Sequence, residues 1–134
     1  MDQISLTESL SRYVLHRSQF KPSENKVKYS AFIPPQNLKL SVYRISGIKD
    51  QEIWKIGNEH VAKPQGKTLL GRADILASDV INMGEGLTLE PDQKPHRLHA
   101  NITGWSVDKS KQKLAAIKLA DKAKFEPIPN QPLA

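Results

Sequence analysis

The clearest pattern along the chain is an alternation of apolar and polar residues in LKLSVYRI, residues 38 to 45. Successive side chains of a strand project to opposite sides of a sheet, so residues two apart share a face. One face carries Leu38, Leu40 and Val42, and the other carries Lys39, Ser41 and Tyr43. The segment therefore predicts a strand with one buried side and one polar side.

Residues 96 to 104 repeat this alternation later in the chain. One face carries Leu98, Ala100 and Ile102, and the opposite face carries Arg97, His99, Asn101 and Thr103. Shorter runs rich in strand-favouring residues predict further strands in 13–16, 29–33, 68–76 and 87–90. We therefore expect about five short strands.

A change to helical spacing marks residues 50 to 62. The apolar positions recur three or four residues apart, and Asp50 stands where its carboxylate can accept from the amides of the first turn. Gly57 lies inside this helix, where glycine is unfavourable relative to alanine. Its presence predicts close approach by a neighbouring element.

Residues 107 to 125 predict the longest helix, because alanine, leucine and lysine all favour helical structure. One side holds small residues, including Ala115, Ala116 and Ala120, and suits close packing. A second apolar side holds Leu114, Ile117 and Phe125. Two apolar sides on one helix suggest that the second contacts a loop of this chain or another subunit.

These elements predict a single α+β domain over residues 1–126, followed by an extended or disordered C-terminal tail over 127–134. We expect an antiparallel or mixed sheet of about five strands, with the two main helices packed on one face. The other face is then open and polar.

Composition and charge narrow the class of protein. The 134 residues include no cysteine, which excludes disulfides and thiolate zinc sites. No stretch reaches the length of an apolar membrane span and no signal peptide is apparent, so we expect a cytoplasmic protein with no membrane partner. The net charge is +6, and residues 12 to 28 carry five Lys and Arg against Glu24 alone. This segregation favours an anionic partner, although a solvated basic surface gives the same pattern.

Candidate chemistry lies on the polar strand faces. His99 and Asn101 share one face, and Arg72 and Asp74 share another. If the two strands are neighbours, His99 can serve as general acid or base with Asp74 orienting it, while Arg72 or Arg97 binds phosphate. A phosphodiester-acting enzyme is therefore one hypothesis. Its alternative is that Arg72 simply pairs with Asp74.

The leading hypothesis is a small binding protein that holds RNA, DNA or another phosphate-bearing ligand on the polar face. Lys39 lies on that face, Tyr43 could stack a base there, and Arg12 adds positive charge. His16 begins the tripeptide His16-Arg17-Ser18, which fits one of the two His-x-Ser/Thr motifs of two-histidine phosphoesterases. Asn101 stands where the second motif requires a hydroxyl, so we identify no family.

Two further expectations concern metals and protein partners. His96 and His99 lie three residues apart and point to opposite faces of a strand, so we expect no metal site and no cofactor. The second apolar side of the 107–125 helix suggests a third hypothesis, a noncatalytic adaptor that binds a protein partner or a second copy of itself.

Overall fold

A computed structural model describes residues 3 to 129 of the chain. The strands are β1 (Ser9–Val14), β2 (Phe20–Lys21), β3 (Lys26–Val27), β4 (Leu40–Arg44), β5 (Gly71–Leu76), β6 (Thr88–Pro91), β7 (His99–Thr103) and β8 (Lys124–Pro127). The α-helices are α1 (Asp50–Gly57), α2 (Ala77–Asn82) and α3 (Lys109–Lys122). A π-helical turn (Asn58–Ala62) continues α1, and 3₁₀ turns cover Arg17–Gln19, Tyr29–Phe32 and Lys63–Gln65.

Six strands form one antiparallel sheet in the order β6–β7–β4–β1–β5–β8, and β2 pairs with β3 in a separate two-stranded sheet. The single α+β domain is therefore confirmed, with six strands in the main sheet instead of about five. Within residues 3 to 129, no helix combines the length and the apolar character needed to cross a bilayer.

One face of the sheet is the main apolar core. Leu10, Val42, Ile102 and other buried strand residues pack with α3, whose small residues Ala115 and Ala116 are buried there. The Asp108 carboxylate caps α3 by accepting from the amides of Ser110, at 2.8 Å, and Lys111, at 3.4 Å. The predicted small-residue side of this helix thus packs as expected.

The opposite face is covered by α1, so the two main helices lie on different faces and not on one as predicted. Tyr13 and Tyr43 alternate with the core residues of their strands, and both are buried against Ile53 and Ile56 of α1. The rings of these tyrosines form an apolar surface on the sheet, and α1 packs on it. The alternation of the sequence marks this face of the sheet as polar. The expected open sheet face is therefore largely covered.

Three segments differ from their predicted structure. The first strand covers Ser9–Val14, whereas the sequence predicts it at residues 13 to 16. Residues 29 to 33, expected to be a strand, contain a 3₁₀ turn in which Ala31 and Phe32 are buried, and the Ala31 carbonyl accepts from the Arg12 side chain. The last helix ends at Lys122, and Phe125 belongs to β8, where it stacks on Phe20 with ring centroids 4.8 Å apart. Edge pairing with β5 and this aromatic contact outweigh the local helix propensity.

Contacts near both ends of the described residues hold the chain to the domain. The Ser78 amide donates to the Leu6 carbonyl at 3.0 Å, and the Glu8 carboxylate pairs with Arg44 at 2.8 Å, a hydrogen bond that lowers the pKa of Glu8. The predicted boundary between 126 and 127 falls inside β8, and the Ile128 amide donates to the Leu70 carbonyl. Residues 130 to 134 of the predicted tail lie outside the described residues.

Gly57 confirms the predicted close approach of a neighbouring element. A Cβ atom at this position would overlap the ring of Tyr13. That ring cannot easily move, because its hydroxyl donates to the Ile53 carbonyl at 2.5 Å and it packs against Tyr43 with centroids 5.5 Å apart. Glycine is therefore required where α1 crosses β1.

We expect Gly57→Ala to lower the free energy of unfolding by about 1–3 kcal/mol, because overpacking a fixed aromatic ring outweighs the better helix propensity of alanine. Urea denaturation measures this change. Asn58→Ala, at the next and exposed position, is the matched control and is expected to change stability little. A Gly57→Ala variant as stable as the wild type would contradict this account of the contact.

Candidate functional site

A cleft opens where β1 and β4 stop pairing. The two strands are in register at Leu10–Arg44 and Ser11–Tyr43, and no further pair joins them beyond that point. A cavity of about 140 Å³ lies there. The cavity is lined by Arg12, Tyr13, Ser41, Tyr43, His60, Val61, Gln65 and Pro95. We call it the β1–β4 cleft.

Arg12 bridges the gap between the separated strands. Its Nε donates to the Ala31 carbonyl at 2.9 Å, and its Nη1 donates to the Ser41 carbonyl at 3.1 Å. No carboxylate among residues 3 to 129 forms an ion pair with it. Burial lowers the pKa of Arg12 to about 10, so the side chain is still a cation at neutral pH. The cleft thus holds a positive charge that main-chain carbonyls solvate and that no carboxylate of the described residues neutralises.

Ser41 and His99 meet beside this cation. They lie on the same face of the adjacent strands β4 and β7, at diagonal positions, since the direct partner of Ser41 is Asn101. The Ser41 Oγ forms a hydrogen bond with the Nε2 atom of His99. His99 is only 5% exposed, whereas Ser41 lines the cavity. A residue of the cavity lining thus holds its hydroxyl against a buried imidazole.

The other ring nitrogen of His99 fixes the tautomer of its neutral form. His99 Nδ1 lies 2.8 Å from the Asp92 main-chain oxygen, which can only accept a hydrogen bond. The proton of the neutral ring is therefore on Nδ1, and Nε2 accepts from the Ser41 hydroxyl. The Asp92 carboxylate lies 3.8 Å from Nδ1 and accepts from Asn101 Nδ2 at 3.3 Å.

Two tyrosines form the inner wall of the cleft. Burial raises the pKa of Tyr43 to about 12 and raises that of Tyr13 further, so both hydroxyls are protonated at neutral pH. The edge of His99 meets the Tyr43 ring, with centroids 5.2 Å apart. Tyr43 is only 2% exposed. Its ring is packed inside the domain and does not form the predicted open platform for stacking a base.

His60, in the π-helical turn, lines the cleft, and His96, in the loop before β7, contacts His60. The rings of His60 and His96 meet edge to face at 4.9 Å. Burial, together with the neighbouring His60 and Arg97, lowers the pKa of His96, which is therefore neutral at pH 7. His96 Nδ1 accepts from the Leu98 amide at 3.1 Å. Among the described residues that line the cleft, Arg12 is the one with a permanent charge.

Arg72 and Asp74 form a separate cluster. They share the sheet face of His99, but β1 and β4 lie between their strand and β7, a separation of roughly 14 Å. Arg72 Nε pairs with Asp74 at 3.1 Å, its Nη2 reaches Asp50 at 3.2 Å, and the guanidinium lies 4.7 Å from the Trp54 ring centroid. Asp50 is the first residue of α1, and its carboxylate pairs with Arg72. The Asp50 side chain does not cap the helix, although the sequence predicts that it should.

Burial raises the pKa of Asp74, and the neighbouring Arg72 opposes that rise. The expected contact between Asp74 and His99 is not formed. Both residues lie on the predicted faces of their strands, but β5 and β7 are not neighbours. The alternative in which Arg72 simply pairs with Asp74 matches the observed geometry.

The remaining predicted ligand-binding residues are dispersed. Arg97 lines a different and larger depression of about 320 Å³, together with the Glu8–Arg44 pair. Lys39 is exposed just before β4. His16 is exposed beyond the end of β1, with its Nε2 2.9 Å from Lys67 Nζ. Of the predicted set, the cleft brings together Arg12, Tyr43 and His99, and Asn101 supports Asp92.

Ser41, Asp92 and Tyr13 are the residues of this site that sequence reasoning did not select. Ser41 stands on the predicted polar face of β4, so its alternation was a usable signal. Its partner could not be inferred without the β4–β7 register. Asp92 is seven residues from His99 in sequence and approaches it because its amide donates to the His99 carbonyl at 3.0 Å.

Comparison with known proteins finds no relative, since no protein-family model, curated protein or solved structure matches the chain. Among residues 3 to 129, no group of three or more histidine and carboxylate side chains is arranged to hold a metal ion. The interpretation of the cleft therefore depends on its own geometry.

We expect neutral His99 to carry its proton on Nδ1, because the Asp92 carbonyl can only accept. Long-range ¹H–¹⁵N correlation of the imidazole measures the tautomer directly. Ser41→Ala should change the shift of Nε2 while leaving the proton on Nδ1. A predominant Nε2–H form in the wild-type protein would refute the assigned direction of both hydrogen bonds.

Proposed function

We propose that the protein binds a phosphodiester of a nucleic acid strand in the β1–β4 cleft, with Arg12 as the principal ligand. The observation that carries this proposal is a guanidinium that lines a cavity and has no carboxylate partner among residues 3 to 129. A bound anion would neutralise this cation, and arginine's planar fork suits two phosphate oxygens.

The size of the cleft supports a small charged group as its occupant. A volume of about 140 Å³ is below the roughly 300–1,000 Å³ of pockets that enclose a drug-sized ligand. Only a compact part of a larger molecule can enter. A backbone phosphate, with its sugars and bases outside, meets this requirement.

The charge of the cleft favours a diester over a terminal phosphate. Arg12 supplies one permanent positive charge, and the nearby His96 is neutral at pH 7. A phosphodiester carries one negative charge, whereas a phosphate monoester carries about 1.5 to 2 at neutral pH. One cation therefore matches the diester better. The +6 net charge of the chain adds a nonspecific attraction to nucleic acids.

We expect Arg12→Gln to weaken binding of a short single-stranded oligonucleotide about 10- to 100-fold, which corresponds to the loss of a hydrogen bond to a charged group. Fluorescence anisotropy at several salt concentrations measures the affinity and its salt dependence. Arg17→Gln removes the same charge from an exposed residue of the same basic segment and should weaken binding only slightly. Dimethyl phosphate, a minimal diester, should compete with the oligonucleotide for the wild-type protein.

Arg12→Gln also removes two hydrogen bonds to main-chain carbonyls, so its fold is checked by thermal unfolding. Arg12→Lys keeps the charge but loses the fork, and we expect it to bind with intermediate affinity. Equal losses for Arg12→Gln and Arg17→Gln would show that binding depends on net charge and would contradict a site in the cleft. Absence of oligonucleotide binding at low salt would end the proposal.

A protein partner remains a second prediction, supported by the exposure of α3. Leu114 is 47% exposed and Ile117 is 44% exposed, whereas Phe125, expected on the same side, is buried in β8. The exposed apolar strip is therefore smaller than the sequence suggests. Its role as an adaptor or homodimer surface is tested by the mass of the protein in solution.

A further inference from the structure

We propose that Ser41 is a catalytic nucleophile and His99 its general base, so that the β1–β4 cleft cleaves the phosphodiester that Arg12 holds. This inference rests on the proposed function, because it needs the diester in the cleft. It adds an activity to a binding site.

The first argument is the direction of the hydrogen bonds. Because the Asp92 carbonyl fixes the proton of neutral His99 on Nδ1, the free electron pair of Nε2 faces the Ser41 hydroxyl. A serine hydroxyl is a weak nucleophile until a neighbouring base accepts its proton, and an orienting group must hold that base. Ser41, His99 and Asp92 supply these three roles in this order.

The second argument is the balance of burial and access. The imidazole of His99 is nearly inaccessible, at 5% exposure, and its Nδ1 faces the Asp92 carbonyl at 2.8 Å, with the Asp92 carboxylate 3.8 Å away. Ser41 lines the cavity. Asn101 Nδ2 donates to Asp92 Oδ2 at 3.3 Å, the same oxygen that lies 3.8 Å from His99 Nδ1, so Asp92 and Asn101 are positioning residues. A serine whose only role was to cap a buried histidine would not need a cavity beside it.

The third argument is the location of Arg12. Its Nη1 donates to the main-chain carbonyl of Ser41 at 3.1 Å, and both residues line the same cavity. Catalysis requires that a phosphate held by Arg12 in this cavity reaches the Ser41 Oγ. The same cation can stabilise the charge that develops on the phosphoryl oxygens during the reaction.

The reaction has two balanced steps. In the first, a bond forms between the Ser41 Oγ and phosphorus while the bond from phosphorus to one ester oxygen breaks. The serine proton passes to His99 Nε2 and then to the departing alcohol. In the second, water attacks phosphorus, the bond to the Ser41 Oγ breaks, and the proton from water returns through His99 to the serine. The net result is hydrolysis of one ester bond without oxidation or reduction.

The test uses a fluorophosphonate probe, whose phosphorus bonds to an activated serine as fluoride leaves and the serine proton passes to the base. Intact mass and peptide mapping should show one adduct, on Ser41, in the wild-type protein and none there in Ser41→Ala. His99→Ala should slow labelling by about 10²–10⁴-fold, the usual contribution of a general base. His16→Ala, which removes an exposed imidazole outside the cleft, should label at the wild-type rate.

Turnover of small esters identifies the substrate class. We expect hydrolysis of bis(p-nitrophenyl) phosphate, lost in Ser41→Ala and in His99→Ala. Hydrolysis of p-nitrophenyl acetate without the diester would overturn the assignment to phosphodiesters. Unlabelled Ser41, or equal labelling rates in His99→Ala and the wild type, would overturn the nucleophile itself.

Binding measurements separate this inference from the proposed function. Ser41→Ala and His99→Ala should still bind dimethyl phosphate, because Arg12 is unchanged in both. If the wild-type protein binds the diester but neither labels nor hydrolyses it, the catalytic inference fails and the binding function stands. If Arg12→Gln binds like the wild type, both fail.

Discussion

The guanidinium of Arg12 holds the two halves of the candidate site together. The side chain crosses the gap between β1 and β4 and satisfies two carbonyls that have no strand partner there, on Ala31 and Ser41. Without these donors, the polar main-chain groups at the gap would lose their protein hydrogen bonds. Arg12 stabilises this gap and also leaves a positive charge at the surface of a cavity. The stability of the gap and the attraction for anions therefore come from the same side chain.

Arg72, on the sheet face that α1 covers, differs from Arg12 in how its charge is compensated. Arg72 is neutralised by Asp74 and Asp50 and covered by Trp54, although its Nη1 is buried without a hydrogen-bond partner among the described residues. Among residues 3 to 129, the side chain of Arg12 has carbonyl partners only. Two arginines on neighbouring strands therefore have opposite consequences, since one charge is neutralised inside the protein and the other remains available to a ligand.

Alternation alone was sufficient to predict β4, β7 and the faces of their residues, because a strand with a period of two leaves a direct mark on the sequence. The same rule placed Arg72 and Asp74 on the face of His99, and that placement is correct. Alternation contains no information about which strands are neighbours, so the pairing of His99 with Asp74 was wrong and its contact with Ser41 was not foreseen. The local sequence predicts a helix at Phe125. Its tertiary partners, Phe20 and β5, are far away in sequence and leave no local signal of the strand.

The order of the strands has a consequence for the way the chain acquires its structure. The strand β1 precedes both of its sheet neighbours in the sequence and lies in the interior of the sheet, between partners that are supplied by residues 40–44 and 71–76. The site draws groups from residue 12 to residue 99, so it exists only after residue 99 has been synthesised. Such nonlocal topologies fold slowly relative to helical domains, and the unpaired β1 is exposed to misassociation while it waits. The growing chain must therefore tolerate an unprotected central strand before any ligand can bind.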